Sequence, residues 1–161
     1  MRPPVIDQLL SSREESDRKQ CIALLNEHLK VNSKDAKSWY DLACCHDFLG
    51  QEVEAEPAYR AALSSGLETL SVGDQKGFYV GFGSTLRNNK NFGESLAILR
   101  AGVGKFPAYI ALRFFLGLTL QSMGHYEEAC KVLLTMSAVL PSSVLDGYEQ
   151  AIRYYAQQLD E

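Results

Sequence analysis

The sequence predicts an all-α protein built from stacked helical units, because one pattern of large and small residues occurs twice. The segment Phe82–Leu86 (FGSTL) recurs as Leu116–Leu120 (LGLTL), with the glycines of the two segments 117 − 83 = 34 positions apart. The same offset relates four further pairs of matching size: Phe92 and Tyr126, Ser95 and Ala129, Leu99 and Leu133, Pro107 and Pro141. A fixed period of this length indicates supersecondary units that bury their apolar faces against one another.

Helical spacing of apolar residues is the second observation that predicts this fold class. One stripe with a 3.6-residue period lies in residues 17–31 and consists of Cys21, Leu24, Leu25, His28 and Leu29. A second stripe lies near the end of the chain and consists of Tyr148, Ile152, Tyr155 and Leu159. Between the stripes, Gly50 offers the positive φ with which a helix commonly ends.

The order of residues within each period resembles the tetratricopeptide repeat (TPR). In residues 36–67 the positions that carry the resemblance are Trp39, Leu42, Ala43, Gly50, Ala55, Tyr59 and Ala62. The resemblance implies a right-handed superhelical solenoid of antiparallel helix pairs. It also implies that the first helix of each pair lines a concave surface on which a partner binds.

The repeat pattern divides the chain into consecutive units of a single domain, residues 1–161. In order, these are a degenerate repeat (2–32), a full repeat (36–67), an insertion (68–75), two full repeats (76–108 and 110–142) and a capping helix (143–161). The insertion follows from the longer offset between Ala43 and Gly83, 83 − 43 = 40. We expect it to form a lengthened helix end and a folded loop.

Composition and charge indicate a globular protein without an obvious attraction to polyanions. The apolar fraction is 46%, the charged fraction is 22% and the net charge is −4. A negative net charge argues against binding to nucleic acid or to an anionic membrane. The sequence also shows no signal-peptide pattern and no apolar run of membrane-spanning length, so we expect a cytoplasmic protein.

Residues that could support catalysis or metal binding do not form a recognisable site in the sequence. Cys44, Cys45 and His46 are consecutive, and consecutive residues on a helix point in different directions. Gly83-Ser84 continues the packing pattern of the repeat and is not part of a GxSxG nucleophile motif. We therefore expect neither an enzyme nor a bound metal or cofactor; an enzyme or metal protein that uses its Cys and His residues is the least favoured alternative.

The concave surface implied by the TPR resemblance supplies the candidate binding residues. Carried onto this sequence, they are Tyr40, Asp47, Phe48, Ser84, Arg87, Asn88, Phe114 and Gln121. The aromatic rings suggest apolar anchors, and Arg87 suggests a ligand with some acidic character. Asp47 could instead pair with Arg87 or repel such a ligand. The alternative is that these positions form a solvated or self-covered face.

Two further comparisons with TPR proteins bear on the partner. Repeats that bind the acidic C-terminus of heat-shock chaperones carry Lys, Asn and Arg at five ligand-contacting positions. In this sequence those positions hold Tyr40, Cys44, Gly81, Ala111 and Phe115. This ligand is therefore not expected. The segments 82–87 (FGSTLR) and 154–161 (YYAQQLDE) resemble a group of short bacterial TPR proteins of unassigned function. That resemblance implies a homodimer, and a dimeric scaffold without a peptide ligand remains the main alternative function.

Overall fold

The computed structural model describes residues 2–138, 140, 147–148, 150–152 and 154, and this part of the chain is helical without any strand. Its α-helices are α1 (Val5–Ser11), α2 (Glu15–Val31), α3 (Ala36–Phe48), α4 (Glu52–Ser65), α5 (Val72–Asn88), α6 (Phe92–Lys105), α7 (Ile110–Ser122) and α8 (Tyr126–Leu134). Short 3-10 helices follow α4 at Leu67–Thr69 and α8 at Thr135–Ala138.

The helices form antiparallel pairs that repeat at the offset found in the sequence. Helices α6 and α8 begin 126 − 92 = 34 residues apart, and α5 and α7 end 122 − 88 = 34 residues apart. Each pair packs together and then against the next, because α5 contacts α3 and α4 on one side and α6 and α7 on the other. The structure therefore confirms the all-α, TPR-like solenoid.

The turn between the two helices of each pair has the same backbone geometry in all three repeats. Gly50, Lys90 and Gly124 occupy it with φ of 67°, 64° and 80°. In each case the next amide donates to the carbonyl five residues earlier: Gln51 to His46 at 3.0 Å, Asn91 to Leu86 at 2.8 Å and His125 to Leu120 at 2.9 Å. The positive φ predicted at Gly50 is confirmed, and the second repeat adopts it without a glycine.

The insertion lengthens the start of α5. Helix α4 ends at Ser65, whereas α5 begins at Val72, four residues before Lys76, the residue that corresponds to the start of α3 (76 − 36 = 40). The insertion was expected to extend the end of α4, and this extension is not observed. Helix α4 ends because Gly66 after it has a φ of 103°. Helix α5 starts early because the Ser71 hydroxyl accepts a hydrogen bond from the amide of Asp74 at 3.0 Å and so caps a helix that begins at Val72.

The core runs along the whole stack of helices. Buried residues from α1 to α5 form one cluster, which includes Ile6 and Leu25 at 0% exposure, and a second cluster joins α6, α7 and α8. Close helix approach depends on a glycine, because a Cβ at Gly83 would lie 2.5 Å from Cγ of Leu99. Most of the predicted capping helix, residues 143–161, lies outside the described residues, and its role stays a prediction.

Candidate partner-binding face

The predicted binding residues lie on α3, α5 and α7, the first helices of the three full repeats. Helix α5 packs directly against both α3 and α7, so the three helices form one continuous side of the solenoid. We call this side the inner face. The contacts of the predicted residues differ strongly from one repeat to the next.

Tyr40 of the first repeat is a packing residue. Its half-buried ring lies 6.4 Å, between centroids, from each of the rings of Tyr59 and Phe78. Its hydroxyl occupies the space beside Gly77, where a Cβ would be only 2.3 Å from the Tyr40 oxygen. Burial raises the pKa of the Tyr40 hydroxyl well above its usual range. The ring therefore fills the junction between α3 and α5 and offers little free area to a ligand.

Asp47 is committed to hydrogen bonds inside the protein. Its carboxylate accepts one from the Tyr59 hydroxyl at 2.6 Å and one from the Thr85 hydroxyl at 2.8 Å. Burial raises the pKa of Asp47, and the two hydrogen bonds act against that rise. The sequence left open a pairing with Arg87; the structure shows Tyr59 and Thr85 as its partners. Asp47 thus links α3, α4 and α5.

Phe48 lies beside the connection between α1 and α2. It is 45% exposed, and the guanidinium carbon of Arg18 lies 4.7 Å from its ring centroid. Arg18 is itself held by the carbonyl of Ser12 at 2.9 Å. Arg18 is not among the predicted residues, because it belongs to the degenerate repeat, whose register is poorly defined in the sequence.

The second repeat contributes one cation and two small polar side chains. Arg87 is half-buried, and its Nε has no hydrogen-bond partner in the described part of the chain. Ser84 is half-buried beside it on α5, whereas Asn88 is exposed and donates to Glu52 at 3.2 Å. Arg87 is therefore the inner-face residue best suited to receive an acidic group.

The third repeat exposes apolar side chains around an open cleft. Phe114 is 50% exposed and Leu118 is 45% exposed, and Gln121 lies exposed one turn further along α7. The cleft has a volume of about 280 Å³ and is lined by Phe114, Gly117, Leu118, Gln121, Tyr126, Ala129, Cys130 and Leu133. Its α8 side was not expected from the sequence, because in the predicted repeats second helices face outwards.

The structure thus separates the predicted residues into two groups. Arg87, Phe114 and Gln121 lie on the neighbouring helices α5 and α7, where side chains are exposed or unpaired. Tyr40 and Asp47 are used for packing at the α3–α5 junction. Among the described residues of the inner face, the α5–α7 half offers Arg87, Phe114 and Leu118 to a partner, whereas Phe48 is the exposed predicted residue on α3.

Four of the histidines and cysteines among the described residues are used in packing or local hydrogen bonds. His28 contacts Asp35 at 3.0 Å between Nε2 and Oδ2, and His46 contacts Gln51 at 2.8 Å. Cys21 and Cys45 are buried in the first core cluster. Within the same residues, no group of three or more His, Cys, Asp or Glu side chains is placed to hold a metal ion.

The length and polarity of the helices also bear on membrane insertion. Over the part of the chain that the structure describes, every helix is too short or too polar to span a bilayer.

Comparisons with known proteins agree with this architecture. The family model of the tetratricopeptide repeat matches residues 36–159. No curated protein matches the chain. A solved structure titled "MamA RS-1 ArsTM double mutant" is similar over 99% of this chain and 97% of its own, with a TM-score of 0.63 and 13% sequence identity. At that identity the likeness supports the fold and nothing finer.

Proposed function

The chain belongs to the tetratricopeptide repeat family, whose members serve as protein–protein interaction modules, and we propose that this one is a non-enzymatic module that binds a partner through its inner face. The binding surface that we propose is the α5–α7 half of that face. The observation that supports it is a pair of half-exposed apolar side chains beside one cleft, since Phe114 and Leu118 are 50% and 45% exposed and both line it. Phe48 of the first repeat is 45% exposed, but the Arg18 guanidinium lies over its ring.

Phe114 is the proposed apolar anchor. A half-exposed ring on a helix loses little side-chain entropy on binding, and aromatic residues often dominate the energy of an interface. The adjoining cleft of about 280 Å³ could receive one or two apolar side chains of the partner.

Arg87 is the proposed polar contact. Its guanidinium can hold a carboxylate through two hydrogen bonds, and no described carboxylate forms an ion pair with it. Ser84 and Gln121 are placed to bind the backbone of the ligand. We therefore expect an extended or helical segment with apolar anchors and an acidic group.

Self-association is the competing proposal, and the apolar cleft beside Phe114 is the observation that favours it. An exposed patch of this kind can be the contact surface between two copies of a chain. Analytical ultracentrifugation separates the two proposals, because a monomer at about tens of micromolar leaves no dimer of useful affinity.

The test of the proposed face is an affinity measurement on matched variants. The partner is first identified by affinity capture from the source lysate, and the purified partner is then titrated by calorimetry. We expect Phe114→Ala and Arg87→Gln each to cost about 1–3 kcal/mol of binding free energy. Two control variants remove an exposed apolar side chain and an exposed cation away from the proposed face. They are Val53→Ala, at an exposed position of α4, and Arg13→Gln, in the α1–α2 connection. Equal affinity of all four variants would place the site on another surface.

A further inference from the structure

A second cleft lies on the edge of the solenoid at which the first helices begin. Its volume is about 300 Å³, and it lies at the junction of the second and third repeats. The residues that line it come from α5, the end of α6 and the loop before α7: Lys76, Lys105, Phe106, Pro107, Ala108 and Tyr109. We call it the edge cleft.

Two lysines of the edge cleft lie against aromatic rings. The Lys76 ammonium is 5.8 Å from the ring centroid of Phe106 and 5.4 Å from that of Tyr109. The Lys105 ammonium is 5.6 Å from the Phe106 centroid. Neither ammonium forms an ion pair with a carboxylate within the described residues. Two positive charges thus converge on one cleft without a counter-charge from their own surroundings.

Lys105 is held in position by a buried glutamine. Its Nζ donates to Oε1 of Gln75 at 2.7 Å, while Nε2 of Gln75 donates to the carbonyl of Leu70 at 2.9 Å. Gln75 is only 8% exposed, so its orientation is fixed by packing. It lies in the extra first turn of α5, the part of the chain that interrupts the repeat period. The insertion therefore orients a cation at the edge of the cleft.

The pair of lysines in the edge cleft is specific to this junction. One repeat earlier, the positions of Lys76 and Lys105 hold Ala36 and Ser65 (76 − 40 = 36, 105 − 40 = 65). The packing pattern of the repeat therefore does not require lysine at either position. Tyr109 precedes the first residue of α7, and the partial positive charge of that helix N-terminus has the same sign as the two ammonium groups.

We propose that the edge cleft binds an acidic peptide segment of a partner protein, with carboxylates on Lys76 and Lys105. The apolar walls formed by Phe106 and Pro107 receive the methylene groups that adjoin those carboxylates. A cleft of about 300 Å³ has room for several side-chain groups, which favours a peptide over a single small anion. This site is separate from the proposed binding half of the inner face and does not depend on it.

Nuclear magnetic resonance of the ¹⁵N-labelled full chain tests the proposal. The probe is N-acetyl-tetraglutamate amide, and N-acetyl-tetraglutamine amide is the neutral control of the same length. We expect the acidic peptide to shift backbone amide signals of residues 105–106 and 108–110 and of Lys76, and the neutral peptide to leave them unchanged. Lys76→Gln and Lys105→Gln should each weaken binding by about two- to five-fold.

Lys90→Gln is the matched charge control, because Lys90 is exposed in the turn between α5 and α6 and does not line the edge cleft. An equal loss of affinity in this variant would show general charge attraction and overturn the proposal. Shifts spread over the whole surface, or equal binding of the neutral peptide, would do the same. Inorganic phosphate forms the third arm, and phosphate binding as tight as that of the acidic peptide would overturn the assignment of a peptide ligand.

Discussion

Tyr40 and Phe114 occupy equivalent positions in the first and third repeats, and the structure uses them in opposite ways. They are 114 − 40 = 74 residues apart, the sum of the two repeat offsets of 40 and 34. Tyr40 is packed among the rings of Tyr59 and Phe78, whereas Phe114 is 50% exposed. The position of a residue within the repeat places it on the inner face, and the adjacent helix decides whether it is covered.

The adjacent helix covers Tyr40 because of one glycine. Gly77 leaves a space on α5 that the Tyr40 hydroxyl fills, with only 2.3 Å between that oxygen and the position a Cβ would take. The residue related to Phe114 as Gly77 is to Tyr40 is Ala151 (77 + 74 = 151), which falls in the predicted capping helix, and most of that helix lies outside the described residues. The lesson is that a ligand-facing position in one repeat can be a core position in another.

Truncation of Tyr40 and of Phe114 to alanine should give the largest difference in stability between the two repeats. We expect Tyr40→Ala to lower the free energy of unfolding by about 2–4 kcal/mol, because it leaves a cavity among packed rings. Phe114→Ala should cost less than about 1 kcal/mol, as is usual for exposed positions. Urea unfolding followed by circular dichroism measures both. Equal losses of unfolding free energy would show that Phe114 is as well packed as Tyr40, and the two repeats would then not differ in this respect.

A double-mutant cycle checks that Gly77 is the cause. In the Tyr40→Phe background the hydroxyl is absent, so Gly77→Ala should stabilise α5 by about 0.5–1 kcal/mol. In the wild-type background the new methyl group collides with the Tyr40 oxygen, and we expect a coupling of about 1–2 kcal/mol between the two substitutions. Additive effects would mean that Tyr40 does not depend on this glycine.

The contrast also shows how much the sequence could predict. The period from Phe82 to Leu120 was sufficient for the helix pairs, because each repeat forms the same local contacts. The exposure of Tyr40 could not be predicted in this way, because it depends on Gly77, which lies in the next repeat across an insertion of unknown conformation. The start of α5 at Val72 could be predicted from the sequence, because Ser71 is of a residue type that commonly caps a helix N-terminus.

The candidate site was predictable only in part, for a related reason. Arg87 and Phe114 were found because the TPR resemblance identifies inward positions. The bonds of Asp47 to Tyr59 and Thr85 join three helices, and no periodic pattern specifies such a contact. Lys76 near the start of α5 and Lys105 at the end of α6 meet because these helices form one antiparallel pair. The hydrogen bond that orients Lys105 is accepted by Gln75 in the insertion, whose conformation the repeat pattern does not specify.

Asp47 provides a further test, since its hydrogen bonds to Tyr59 and Thr85 hold α3, α4 and α5 together beside Tyr40. Asp47→Ala removes the acceptor of two buried hydroxyl groups and should cost about 1–3 kcal/mol of stability at neutral pH. Calorimetric melting of the variant and the wild type measures this loss. No loss would mean that Tyr59 and Thr85 are satisfied without Asp47.

The charge of Asp47 can be separated from its hydrogen bonds by varying the pH. Because its pKa is raised above the usual 3.8, the folded protein holds this proton more tightly than the unfolded chain, and ionisation of Asp47 opposes folding. Its contribution to stability therefore falls as the pH rises from 3.8 through the raised pKa. Asp47→Asn lacks this dependence, so its stability relative to the wild type should increase across that window. Glu54→Gln, at an exposed position, should show no such trend.

The smallest effects on stability are expected for the ion pairs between successive second helices, α4, α6 and α8, a side that we call the outer face. One arginine–glutamate pair joins the helices at each of the two junctions. Arg60 on α4 binds Glu94 on α6 through two contacts of 2.6 and 2.7 Å, and Arg100 on α6 is paired with Glu128 on α8. Exposed ion pairs contribute little, so Arg60→Met and Arg100→Met should each cost about 0.2–1 kcal/mol. Both losses should fade in about 1 M salt, where charges are screened within roughly 3 Å.

Arg60→Met should cost more than Arg100→Met, because Arg60 also binds Glu56 at 2.7 Å. Its hydrogen bonds hold the pKa of Glu94 below the usual 4.5, so this link stabilises the fold above that pH and is lost as the pH falls through the lowered pKa. The penalty of Arg60→Met should therefore disappear in acid. If Arg60→Met or Arg100→Met lowered the free energy of unfolding as much as Tyr40→Ala does, the repeat junctions would be held mainly by surface ion pairs. The packing of Tyr40 against α5 would then not be the difference in stability between the first repeat and the third.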